Sequence, residues 1–139
     1  MALTSFTLYH LVKSEDLNHH GTLFAGRSAE WFVEAGFVAA AEQTHPENIV
    51  CLKIHGMHFN RPVQRGEVIC FESKIILAGR TSMVAYIKMK GKTDLDKIVE
   101  GYITFIHVDM DGKPIPHGIV LNPETEEERL LMESAQNLR

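Results

Sequence analysis

Asn18 and Glu34, in the first third of the chain, are of the residue types that activate and orient water. Asn18 lies in a polar turn, and Glu34 follows within a long apolar stretch. A carboxylate can act as a general base, and an amide side chain can orient the attacking water. Free backbone amides at a helix start, here around Phe24 and Gly26, can stabilise an oxyanion. These are the groups that hydrolysis of an activated carbonyl compound requires, although Asn18 could instead serve the turn or cap the helix.

The charges of the apolar stretch predict one polar helix face. At 3.6 residues per turn, Arg27, Glu30 and Glu34 share a face with Trp31 and Val38. Glu30 and Glu34 are like charges at i,i+4, and we expect Arg27 to offset Glu30 better than Glu34. Glu34 is then predicted to be a partly desolvated carboxylate, as a general base or acid often is. The alternative is a solvated helix stripe, and periodicity leaves both open.

Histidines and cysteines are the other candidates for chemistry. His55 and His58 lie in a predicted strand, where residues three apart point to opposite faces, so we expect no metal site. His58 is kept as a second candidate catalytic residue. Cys51 and Cys70 each lie within an apolar run and form no spaced set, which argues against a disulfide framework or a zinc site. Free thiols favour a reducing cytoplasm.

One long helix between strands is the arrangement that the hydrophobic pattern predicts. The helix spans about residues 24–41, and its apolar character around most of its circumference predicts that other elements wrap it. Thr22 is expected to be its cap. Alternation predicts antiparallel strands over 5–12, 49–59, 67–77, 81–90 and 98–108, with one side of the fourth exposed to water. A short peripheral helix is predicted from a cap at Asn122 to about Asn137. The fold class is therefore α+β, one domain over 1–139, with a curved sheet of about five strands.

Composition excludes several protein classes. A chain of 139 residues can form one domain with a substantial core, and a net charge of −4 gives no sign of nucleic-acid binding. The first ten residues, MALTSFTLYH, lack the features of a signal peptide. The long helix carries two glutamates and one arginine, too many charges for a membrane span. We therefore expect a soluble cytoplasmic protein without membrane or nucleic-acid partners.

Four segments in register resemble a known enzyme family. They are NHHGTLFAG at 18–26 followed by WFVEAG at 31–36, FNRPVQRGE at 59–67, GRTSM at 79–83, and DMDGKP at 109–114. Together they cover roughly residues 8–116 and resemble the signature of hotdog-fold acyl-CoA thioesterases. The resemblance implies a hotdog domain, a long central helix wrapped by a curved antiparallel sheet.

The resemblance also implies site residues. Asn18 matches a loop position that is Asn or Asp in the family, Ala25 replaces the first glycine of a Phe-Gly-Gly turn, and Glu34 falls one residue after Val33, where most relatives keep an acid. The implied catalytic set is Asn18, Gly26 and Glu34, and His58 stays beside it as the second candidate catalytic residue. The implied substrate-binding set is Gly21, Thr22, Phe24, Ala25, Arg80, Thr81, Ser82 and Lys113, with Trp31, Phe32 and Phe59 lining the acyl path. The cations could instead be a solvated strand edge.

Two functions follow from the resemblance. The first is hydrolysis of an acyl-CoA or related acyl thioester, with no metal and no cofactor other than the CoA of the substrate. The alternative is a non-catalytic hotdog module that binds CoA or acyl chains.

An exposed sheet edge and an apolar helix face predict a homodimer at least, with tetramers or hexamers as larger assemblies. The distance along the helix between Asn18 and Glu34 predicts that two antiparallel helices from two chains share each site.

Overall fold

A computed structural model describes residues 3–138 of the chain. Met1, Ala2 and Arg139 lie outside the described residues, and with them the first two positions of the N-terminal segment and both ends of the predicted domain. The strands are β1 (Phe6–Leu11), β2 (Ile49–Ile54), β3 (His58–Phe59), β4 (Val68–Ala78), β5 (Ser82–Lys90) and β6 (Lys97–His107), and the helices are α1 (Ala25–Gln43) and α2 (Glu126–Gln136).

The strands form one antiparallel sheet in the order β1-β4-β5-β6-β2, and the short β3 also pairs with β6. The predicted α+β class is confirmed. The single strand expected over 49–59 is divided into β2 and β3, because Gly56 between them has a φ of 123°. An L side chain rarely adopts that conformation, and the ladder is interrupted there. The described sheet therefore has six strands where about five were expected.

One face of the sheet, here called the inner face, carries α1. The helix buries Trp31, Phe32, Ala35 and Ala39 against it. At Gly36 an added Cβ would lie 3.0 Å from Ile87 Cδ1, so the absence of a side chain allows the helix to approach the sheet closely. The opposite side of α1, including Glu30 and Glu34, is exposed in the single chain. The predicted hotdog arrangement, a long helix wrapped by a curved antiparallel sheet, is confirmed, and in one protomer the sheet covers one side of α1.

The outer face of the sheet is partly covered by α2. Val84 and Tyr86 of β5 are buried there with Ile76 and Ala135, so the prediction that this side of β5 is exposed to water is wrong at these positions. The helix begins later than expected. Its cap is Thr125, whose hydroxyl accepts a hydrogen bond from the Glu128 amide at 3.0 Å, and not Asn122.

Candidate active site

The turn before α1 is organised by the side chain of Asn18. Its Oδ1 accepts hydrogen bonds from the amides of His20 at 2.8 Å and Thr22 at 3.1 Å, and its Nδ2 donates to Thr22 Oγ1 at 3.1 Å. Gly21 completes the turn with a φ of 81°. The turn alternative for Asn18 therefore holds, and within residues 3–138 one N–H of its amide has no acceptor. Thr22 is bonded within this turn and is not the helix cap.

The first amides of α1 are available for a ligand. The residue before the helix is Phe24, whose side chain makes no capping hydrogen bond. Arg27 and Ser28 donate their amides to the Phe24 carbonyl, whereas the amides of Ala25 and Gly26 have no acceptor among residues 3–138. Both residues are exposed. Two adjacent free N–H groups at the positive end of a 19-residue helix form a potential oxyanion site.

A cavity of about 310 Å³ lies beside this helix start. Its wall opposite α1 is the segment after β3. The Leu23 amide, two residues before α1, donates to the Val63 carbonyl at 2.8 Å and so fixes that segment to the turn before the helix. Apolar side chains predominate in it. The lining residues are Leu23, Ala25, Ser28, Phe59, Asn60, Arg61, Pro62, Val63 and Ile98. A small apolar group could enter here beside Ala25, whose free amide lies at the cavity lining.

Glu34 is not near this cavity within one chain. It lies eight residues beyond Gly26 in α1, about 12 Å along the helix axis, and its side chain is exposed. The predicted desolvation is therefore absent in the single chain. Arg27 does not offset Glu30 as expected, because its Nε lies 3.4 Å from Oδ1 of the buried Asp16.

Asp16 is a residue that the sequence reasoning missed. It is 4% exposed, its Oδ2 accepts the Lys13 amide at 2.9 Å, and its carbonyl accepts the Phe24 amide at 2.8 Å. These contacts fix residues 16–24, here called the entry loop, against the first turn of α1. An acid just before a polar turn, with an arginine in the following helix, was the available signal.

His58 faces away from the helix start. It pairs with Glu100 of β6, while Phe59 pairs with the buried Val99, so His58 lies on the outer face and Phe59 on the inner face. His55 and His58 line the same outer cavity of about 440 Å³, contrary to the expectation of opposite faces, because the strand is interrupted at Gly56. Within residues 3–138 no group of three or more His, Cys, Asp or Glu side chains is arranged to hold a metal ion.

The predicted CoA-binding cations lie at the other end of the sheet. Cys70 of β4 pairs with Lys90 of β5 at the end where α1 begins, and Ala78 pairs with Met83 at the far end. Eight residues of strand separate the two ends, about 26 Å. Arg80, Thr81, Ser82 and Lys113 all belong to the far end. One chain thus brings together Asn18, Gly21, Thr22, Phe24, Ala25 and Gly26. Glu34, His58 and the four predicted CoA-binding residues at the far end of the sheet lie elsewhere in the same chain.

A second missed group is the cluster of Arg61, Glu67 and Asp96 at the edge of the cavity wall. Hydrogen bonds from Arg61 hold the pKa of the Glu67 and Asp96 carboxyls below their usual values, and hydrogen bonds to Asp96 and then Glu67 raise the pKa of Arg61. The resemblance drew attention to Pro62 and Val63 in this segment and not to the arginine between Asn60 and Pro62.

Comparison with known proteins gives a consistent result. The sequence profile of the thioesterase superfamily matches residues 20–97. The uncharacterized acyl-CoA thioester hydrolase YkhA of Bacillus subtilis is 30% identical over 126 residues, covering 86% of this chain and 71% of that protein. The acyl-CoA thioester hydrolase YciA of Salmonella typhimurium is 30% identical over 113 residues, covering 76% and 84%.

A solved structure agrees with the sequence relatives. An apo-hexameric acyl-CoA thioesterase superimposes with a TM-score of 0.87 at 29% identity, covering 95% of this chain and 86% of that one. In the part of the chain that the structure describes, neither helix has the length and apolar character needed to cross a bilayer.

Proposed function

The chain belongs to the thioesterase superfamily, and from this premise we propose that it hydrolyses an acyl-CoA thioester to a free acid and CoA. The observation that carries the proposal is the pair of free amides, Ala25 and Gly26, beside the apolar cavity. Water attacks the thioester carbonyl carbon, and the two N–H groups stabilise the charge that develops on its oxygen. The C–S bond then breaks, and the proton that the general base takes from the water passes to the sulfur, so that CoA leaves as the thiol.

Glu34 is the proposed general base, supplied by a second chain. Its exposed position on α1 suits a group that becomes enclosed only when another copy covers that side of the helix. Val33 stands at the family's acid position. Its side chain is apolar and packs half-buried against the core, so no carboxylate there competes with Glu34 as the base. The free N–H of the Asn18 amide would orient the water that Glu34 activates.

The second chain is proposed to join at β2. This edge strand exposes five of its six residues, and Val50, Leu52 and Ile54 are 47%, 64% and 47% exposed. Pairing two β2 strands about a twofold axis would remove this open edge and place two α1 helices antiparallel on one continuous sheet. The helix middle of one chain would then lie beside the entry loop of the other.

The same twofold arrangement would bring Arg80 and Lys113, which are distant from the cavity within one chain, to the site of the partner chain. The far end of the partner's sheet, with its copies of Arg80, Thr81, Ser82 and Lys113, would lie beside the helix start of the first chain. Arginine and lysine there could bind the phosphates of CoA. Within one chain these residues are about 26 Å of strand from the cavity, so the proposal requires the oligomer.

Larger assembly and location are also proposed. The apo-hexameric acyl-CoA thioesterase that superimposes on this chain supports a hexamer built from three such dimers. The free thiols of Cys51 and Cys70 suit the reducing cytoplasm. The reaction as written needs no metal and no cofactor beyond the CoA of its substrate.

An acyl-CoA panel with a thiol reagent tests the reaction. Wild-type protein should release free CoA, Glu34→Ala should lose nearly all activity, and Glu30→Ala, an exposed acid one turn earlier, should keep it. CoA binding without release by the wild-type protein would instead identify a non-catalytic module. The acyl-CoA thioester hydrolases among its relatives speak against that alternative.

A further inference from the structure

Arg61 is the most fully bonded side chain of the cavity wall. Its Nε and Nη2 donate to the two carboxylate oxygens of Asp96 at 2.8 and 2.7 Å. Nη1 and Nη2 donate to Glu67 at 3.2 and 3.0 Å, and Nη1 also donates to the Pro62 carbonyl at 2.9 Å. A guanidinium has five N–H donors, and each is used here. Arg61 is therefore engaged with the protein and has no donor left for a phosphate.

These bonds connect three separate parts of the chain. Arg61 belongs to the segment that forms the cavity wall, Asp96 to the turn between β5 and β6, and Glu67 to the approach to β4. Glu67 also accepts the Gln64 amide at 2.6 Å, which closes the loop from residue 61 to residue 67 on itself. The wall is thus tied to the β5–β6 turn by the ion pair of Arg61 with Asp96.

Gly91 shows that this turn is fitted around the ion pair. A Cβ at position 91 would lie 1.9 Å from Asp96 Oδ2 and 3.0 Å from Arg61 Nη2. Gly91 is buried, and its amide donates to the Asp96 carbonyl at 2.9 Å. A side chain at this position would displace Asp96 from Arg61.

We propose that Arg61 is a positioning residue, which holds residues 59–63 against the start of α1 and so sets the width of the cavity that receives the acyl thioester. The inference rests on the proposed function. Arg61 acts through Asn60 and Val63, whose backbones bond to Ile98 at 2.9 Å and Leu23 at 2.8 Å. Contacts of the wall with the acyl group are present both before and during the reaction. Their loss weakens ground state and transition state alike, which raises KM and leaves kcat nearly unchanged.

Steady-state kinetics of Arg61→Ala, Arg61→Lys and Asp96→Asn test this role. Arg61→Ala should raise KM for a short acyl-CoA about tenfold while kcat stays within about threefold of wild type. Lys keeps the charge without the bidentate fork, so Arg61→Lys should lie between. The double variant Arg61→Ala/Asp96→Asn should be no worse than Arg61→Ala, because both substitutions remove one shared network. Arg129→Ala, which breaks an exposed pair on α2, is the control and should leave both constants unchanged.

Hydrogen exchange gives a readout that does not depend on activity. In Arg61→Ala and Asp96→Asn the amides of Leu23 and Asn60 should exchange faster, while amides at the centre of β5 keep their protection. Unchanged exchange at both amides, or KM within twofold of wild type in folded Arg61→Ala, would overturn the positioning role. Equal loss of protection across the whole sheet would also overturn it, as a general stability effect. If wild-type protein hydrolyses no acyl-CoA, the proposed function fails by itself, and the exchange measurement still decides whether Arg61 holds the wall.

Discussion

The phenol of Tyr86 in β5 donates a 2.5 Å hydrogen bond to Oε2 of Glu100 in β6, on the outer face of the sheet. Lys97 Nζ lies 3.1 Å from the other carboxylate oxygen. Burial and then the Glu100 carboxylate raise the pKa of Tyr86. Burial acts to raise the pKa of Glu100 as well, but hydrogen bonds from Tyr86 and Lys97 outweigh it and leave that pKa below its usual value.

Stability should therefore fall toward both ends of the pH range. For carboxyls with a lowered pKa, such as Glu100 and Glu67, the stabilisation is complete above the ordinary value of 4.5 and is lost as the pH falls through the lower folded value. For Tyr86 the stabilisation is complete below the ordinary value of 10.0 and is lost as the pH rises toward the raised folded value. Urea unfolding across this range measures both effects.

Removing the Tyr86 hydroxyl separates its contribution. Tyr86→Phe should lower the free energy of unfolding by about 1 kcal/mol at pH 7 and weaken its decline above pH 10. Tyr9→Phe, at a side chain that is 68% exposed, should change neither. Superimposable pH profiles of the two variants would contradict the pairing.

The β2 edge should be needed for assembly. Leu52→Lys places a charge on the exposed edge strand, where lysine opposes pairing with another strand. Sedimentation velocity should show smaller species than wild type, and activity should fall with them. Leu95→Lys, at a 97% exposed position in the β5–β6 turn, is the matched control and should assemble normally. Stable folded monomers of the wild-type protein at micromolar concentration would refute the dimer.

Complementation should show whether two chains share each site. Asn18→Ala and Glu34→Ala homodimers should each be nearly inactive. Refolded together in equal amounts, they should recover about a quarter of wild-type activity, because half of the dimers are mixed and each has one intact site of two. A mixture of Asn18→Ala with Glu30→Ala is a control that should show activity whether or not the sites are shared, since Glu30→Ala should be active by itself. Mixed dimers verified by mass but without recovered activity would place the site within one chain or assign the base elsewhere.

Gly26→Val should affect activity more than folding. A Cβ at this position would lie 2.5 Å from Cε2 of Phe24, a ring that is 54% exposed and can rotate away. Gly101→Ala is the contrast, because its Cβ would lie 2.5 Å from the carbonyl oxygen of Gly56, a backbone atom. We expect kcat/KM to fall at least about tenfold in Gly26→Val with little change in melting temperature, and the melting temperature to fall in Gly101→Ala. Equal loss of stability in both would indicate a packing role only for Gly26.

The local pattern of the sequence determined much of the fold. Alternation in β5 correctly predicted that Met83, Ala85, Ile87 and Met89 share the buried inner face. The long helix ends at Gln43, just before the Pro46 break, close to where the pattern placed its end. These features depend on residues near each other in the chain, whose spacing fixes which side of one element is apolar. The four matching segments also correctly indicated the family.

Tertiary structure alone decided which groups meet. The break at Gly56 put His58 on the outer face, and strand register put Arg80 and Lys113 at the far end of the sheet from Gly26. Arg27 bonds to Asp16 instead of Glu30, and α2 covers Tyr86. Each outcome depends on pairing between segments distant in sequence. In such pairing, one residue that interrupts or bulges a strand changes the sheet face on which the following side chains lie. Periodicity within one segment contains no information about that pairing, so the sequence supplied the residues and the fold decided their partners.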